Sequence, residues 1–80
     1  MMVNVGIDSY VRVDEIETVS PPVSRPIKRM IEKAKDEGKC IELLYGRAMK
    51  SVIILKSGTI VLSSSLPQTI VKRITSLNDK

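Results

Sequence analysis

The 80-residue chain contains no histidine, no tryptophan, no phenylalanine and a single cysteine. Without histidine the commonest general base is missing, so the run Ser63-Ser64-Ser65 has no partner for nucleophilic catalysis and reads as a strand end running into a helix cap. One cysteine forms no internal disulfide, and the lack of histidine leaves too few ligands for a structural zinc site. Only two residues are aromatic, Tyr10 and Tyr45, which disfavours reading single strands by base stacking. Gly46-Arg47 is no phosphate-cradling Walker loop, since G-x-x-x-x-G-K is absent. The longest apolar run, Val52-Ile53-Ile54-Leu55, falls far short of the ~20 residues of a membrane span, so no membrane partner is expected. Met1-Met2-Val3-Asn4 does not read as a signal peptide, and a lone cysteine fits a reducing cytoplasm, so a cytoplasmic location is expected.

The length allows one domain, residues 1–80. A domain this small buries only about 60% of its unfolded surface, and with disulfide and metal excluded the remaining staple is self-association. The core must come from Ile, Val, Leu, Met and Ala, and the abundance of Val and Ile favours strands. The net charge of +4 is unevenly spread. Residues 1–24 carry Arg12 against Asp8, Asp14, Glu15 and Glu17, a net −3, whereas residues 25–50 carry +4 and residues 51–80 carry +3. An acidic edge on a basic body has two readings. The body binds a polyanion, or the acidic segment of one copy meets the basic surface of the next, head to tail.

Apolar residues alternate at Val3, Val5 and Ile7, and the pattern continues through Tyr10-Val11-Arg12-Val13 after an Asp8-Ser9 turn. Ile16-Glu17-Thr18-Val19 resumes it, and Pro21-Pro22 ends it. Ser24 as N-cap, Pro26 in the first turn and Gly38 as the left-handed terminator predict a helix over about residues 25–37. Its stripe Ile27, Met30, Ile31 and Ala34 is expected to face a sheet. Glu32 is expected to pair with Lys28 and Lys35. Residues 40–45 read as a strand and residues 46–50 as a loop or wide bulge. Ser51-Val52-Ile53-Ile54-Leu55 and Thr59-Ile60-Val61-Leu62-Ser63 flank a Lys56-Ser57-Gly58 hairpin turn. Ser65 and Gln68 suggest a capping box for a closing helix with Ile70, Val71, Ile74 and Leu77 on one face. The order βββ-α-βββ-α implies an α+β fold with helices against a largely antiparallel sheet.

Among candidate functional residues, Cys40 opens a strand and reads as a small hydrophobe. Asp14, Glu15 and Glu17 lack the glycine-containing pattern of a calcium loop and read as a solvated edge or an intersubunit partner. With stacking disfavoured, a polyanion partner points to phosphate contacts and a groove-reaching arginine, hence duplex DNA. The loop Tyr45-Gly46-Arg47-Ala48-Met49-Lys50 is the best candidate, because Gly46 lets the backbone turn and Arg47 and Lys50 project between two strands. Arg25, Lys28 and Arg29 are second-line phosphate contacts.

Several pieces occur together and in order: Asn4-Val5-Gly6, Val19-Ser20-Pro21, Arg25-Pro26-Ile27-Lys28-Arg29-Met30-Ile31, Tyr45-Gly46-Arg47, and Leu62-Ser63 leading into Pro67-Gln68-Thr69-Ile70. Over about residues 3–74 the chain resembles the RemA/RemB family of small bacterial extracellular-matrix and biofilm regulators. The resemblance implies a cytoplasmic, non-catalytic transcription regulator without a cofactor or a small-molecule substrate. It implies assembly with copies of itself into a closed ring that binds double-stranded DNA on a basic exterior. It also implies a fold similar to part of the LytTR DNA-binding domain. The family's DNA-contacting arginines directly follow Tyr-Gly; here the first is Arg47, the second position is Ala48, and a later basic position is Lys50. Where the family tends to have an early arginine this chain has Asp14-Glu15, so no role carries over there. The structural alternative is an oligomeric scaffold whose basic face binds an acidic protein.

Overall fold

The computed structural model describes residues 1–6 and 8–78. Six strands and two α-helices follow in the order β1 (Met2–Gly6), β2 (Ser9–Arg12), β3 (Ile16–Ser20), α1 (Arg25–Asp36), β4 (Cys40–Leu43), β5 (Ser51–Leu55), β6 (Ile60–Ser63) and α2 (Pro67–Asn78), with a single 3-10 turn (Val13–Glu15) between β2 and β3. The fold is α+β, as the alternation and helical stripes imply. Ile7, the third residue of the first alternation, lies outside the described residues.

β1 and β2 form a separate antiparallel pair, and β3-β5-β6-β4 form the main sheet. β3–β5 and β5–β6 are antiparallel, while β6–β4 is parallel. This changes the meaning of residues 44–50. β4 and β5 are not neighbours, so of the two alternatives the loop holds and the bulge does not: the connection crosses the end of β6, two strand spacings or about 9.5 Å. The Lys50 N–H donates to the Ser63 carbonyl at 2.9 Å, fastening the loop to that strand end.

The sheet is covered on both faces, which is why β5 and β6 read as unbroken apolar runs. On one face Val52, Ile60 and Leu62 pack against Ile31 and Ala34 of α1. On the other, Ile53 and Val61 pack against Val3 and Val5 of β1 and Ile70 of α2. An irregularity between Ile16 and Thr18 shifts the pleat, so that Ile16 and Val19, three residues apart, pack against the same cluster. The facing Ser51 and Ser63 are both fully buried. Their hydroxyls donate to the carbonyls of Ser65 and Val5, and Ser63 Oγ accepts from the Ser65 N–H at 3.1 Å. The pair thereby joins β1, β5 and β6 to the entry of α2.

α1 starts and stops where its caps dictate. Ser24 Oγ accepts from the Ile27 N–H at 3.3 Å. At the other end Gly38, at φ 70°, and Lys39 donate to the carbonyls of Lys35 and Ala34, a Schellman closure. Four details differ from the sequence reading. Met30 is 40% exposed, because it sits about 70° round the helix from the centre of the Ile31–Ala34 stripe. Lys35 pairs with Glu42 of β4 at 3.2 Å rather than with Glu32. The Ser65 capping box gives way to Pro67 at the first helical position, with the Leu66 carbonyl accepting from Thr69 and Ile70. On α2, Ile70 is buried and Ile74 and Leu77 pack beside it, but Val71 is exposed.

Candidate nucleic-acid interface

The register fixes which connections share an end of the sheet. Ser20 of β3 faces Val52, Ser51 faces Ser63, and Leu43 of β4 also faces Ser63. The β3–α1 junction, the loop 44–50 and the entry of α2 therefore lie at one end. Arg25, Lys28 and Arg29 occupy the first two turns of α1 there, and Arg47 and Lys50 stand on the loop; all five are exposed. The structure brings both groups of sequence-predicted cations to this end.

The loop is anchored by apolar residues and projects polar ones. Leu44 and Met49 pack against the α1-side core, as does Ile27. Between these anchors Tyr45, Gly46, Arg47 and Ala48 are exposed. The Arg47 N–H donates to the Leu44 carbonyl at 2.8 Å, and the central residues Tyr45 and Gly46 have φ of 49° and 80°. Two left-handed central residues define a type I′ turn. Glycine takes that conformation freely, whereas for Tyr45 it costs roughly 1–2 kcal/mol. The expected strand through Tyr45 thus stops at Leu43, because the chain must turn there to cross β6.

The electrostatics of this end favour anions. No carboxylate occurs in residues 18–31 or 43–77. The acidic residues that border these stretches are Glu32, one turn beyond Lys28 and Arg29 on α1, and Glu42, which precedes Leu43 on β4 and pairs with Lys35. Among the described residues the ion pairs are Arg12–Asp14 at 3.5 Å and Lys35–Glu42, and neither engages the five cations. Both helices begin at this end, which adds the positive poles of their dipoles.

Cys40 is half-buried beside the α1-side core, and burial chiefly pushes its thiol up; nearby Lys35 opposes this and Glu42 adds to it. A raised thiol is poor in thiolate at neutral pH, which agrees with a packing role. Sequence reasoning did not foresee Arg73, whose guanidinium donates to the Asn4 carbonyl at 3.1 Å and to Asn4 Oδ1 at 3.4 Å, tying α2 to β1. Nor did it foresee the groove of about 540 Å3 between them, lined by Met2, Tyr10, Lys72 and Leu77 among others.

A family model described as "Extracellular matrix regulatory protein A-like" matches residues 2–74. The chain belongs to the RemA-like family. Three relatives each bear the name "Putative regulatory protein". One from Lachnoclostridium phytofermentans is 40% identical over 73 residues, covering 91% of this chain and 80% of the relative. One from Thermotoga petrophila is 42% identical over 72 residues, 90% of this chain and 78% of the relative. One from Clostridium beijerinckii is 35% identical over 78 residues, 98% of this chain and 87% of the relative. The match runs through β1 to most of α2, so this RemA-like chain carries the loop 44–50 and the start of α1 within the shared region. Among the described residues no helix is long and apolar enough to cross a membrane.

Proposed function

We propose that this RemA-like chain is a cytoplasmic, non-catalytic transcription regulator that binds duplex DNA as a ring-forming homo-oligomer. The observation that carries the reading is the cation-rich end of the sheet, whose five basic side chains enter no ion pair among the described residues. There a type I′ turn holds Arg47 away from the core, with Lys50, Arg25, Lys28 and Arg29 on the same end. Arg47 offers a planar fork for a base edge or a phosphate, and the lysines supply point charges for phosphates. Self-association is supported by apolar surface on the β1–β2 pair, where Met1, Met2 and Tyr10 are all at least half exposed beside the α2 groove. An 80-residue domain without disulfide or metal gains most from covering such surface with a second copy.

Two measurements test the reading. A mobility-shift assay with genomic duplex fragments is expected to give a retarded species, and light scattering at micromolar concentration a mass above that of a dimer. A monomer mass across ordinary salt, or the absence of a shift at low salt, overturns it.

A further inference from the structure

We propose that Tyr45 is itself a DNA contact, its phenol hydroxyl donating to a backbone phosphate oxygen beside the group that Arg47 engages. The inference rests on the duplex-binding reading above and deepens it. Tyr45 is the first central residue of the type I′ turn, at φ 49°, a position suited to asparagine, aspartate or glycine. Its side chain is 65% exposed and belongs to neither core cluster. Among the described residues no hydrogen bond reaches its hydroxyl. The crossing of β6 imposes the turn, but no packing or hydrogen bond of the tyrosine side chain offsets the cost of placing this residue in it, and strained positions cluster at functional sites.

The position suits the role. The turn is braced by the Arg47 N–H bond to Leu44, and Leu44 is packed against the core, so the ring stands on a fixed base two residues from Arg47. A tyrosine has two side-chain torsions to fix, fewer than a lysine, so its hydroxyl is presented with little loss of freedom. Tyrosine is among the side chains that donate to phosphate oxygens in protein–DNA complexes. Because the phenol carries no formal charge, such a contact adds affinity without releasing a counterion.

The experiment compares Tyr45→Phe, Tyr45→Asn and Arg47→Ala by fluorescence anisotropy on a labelled random-sequence duplex over a salt series, with thermal melts and oligomer masses of each. Both tyrosine variants are expected to bind roughly tenfold more weakly per site, as for removal of a hydrogen bond to a charged group, with the salt slope unchanged. Tyr45→Asn is expected to melt higher than the parent, because the left-handed strain is relieved, and Tyr45→Phe to melt with the parent. The assignment is overturned if Tyr45→Phe binds like the parent, if Tyr45→Asn melts lower, or if either lowers the oligomer mass, since the ring then packs against another copy. Weakened binding in Arg47→Ala alone removes the Tyr45 contact and leaves the duplex reading standing. Parental binding in all three variants removes the loop as the site, and no binding by the parent itself removes the duplex reading.

Discussion

Arg47→Ala is expected to remove most duplex binding while leaving the fold and the oligomer intact. The side chain is exposed and belongs to neither core cluster, and its backbone N–H bond to Leu44 survives truncation. In a closed ring the change repeats in every subunit, so a modest weakening at each site multiplies through avidity. Lys50→Ala should act in the same direction but more weakly, since lysine brings a point charge and no bidentate fork. Lys56→Ala is the matched control. Lys56 begins the β5–β6 turn at the opposite end of the sheet, where its backbone N–H donates to the Glu15 carbonyl at 2.8 Å. It should leave affinity near that of the parent. Equal losses from Arg47→Ala and Lys56→Ala would mean that general basicity, and not this loop, does the binding.

Ile31→Ala is expected to cost about 2–5 kcal/mol of stability, against less than about 1 kcal/mol for Met30→Ala. Ile31 is 6% exposed and packs with Val52, Ile60 and Leu62, so truncation leaves a hole that the two-faced sheet cannot close. Met30 is 40% exposed on the flank of the same helix and leaves little cavity. Set against the ~5–15 kcal/mol of a whole domain, the first change takes a large share of the total. Urea unfolding of the two variants measures the difference directly. Equal losses would place both residues on the buried face and contradict the helix orientation.

The helix α1 was legible from sequence because every signal for it is local: Ser24 as cap, Pro26 in the first turn, Gly38 as terminator and the Ile31–Ala34 stripe all act within a few residues. The β5–β6 hairpin was legible for the same reason. The parallel pairing of β4 with β6 was not, since local alternation carries no information about which distant strand lies alongside. That hidden pairing also concealed the nature of the loop. As a hairpin, residues 44–50 would be loosely held; crossing β6, they are pinned by Leu44, Met49 and the Lys50–Ser63 bond, and Tyr45 is forced into a left-handed turn. Arg47 and Lys50 could be picked out by residue type and the nearby glycine. That Arg25, Lys28 and Arg29 share their end of the sheet follows only from the strand order. The Lys35–Glu42 pair was likewise out of reach, because helical spacing offers Glu32 as a partner and only the packing of α1 on the sheet brings in Glu42.

The proposed binding of duplex DNA at the cation-rich end of the sheet, through phosphate and base-edge contacts led by Arg47, is tested most directly by the duplex affinity of the unaltered protein over a salt series. A steep linear fall of log affinity with log salt is expected, and if Lys50 is a phosphate partner as proposed, Lys50→Ala should reduce the slope by about 1 for each subunit engaged. An affinity that stays flat as salt rises would contradict duplex binding by these cations.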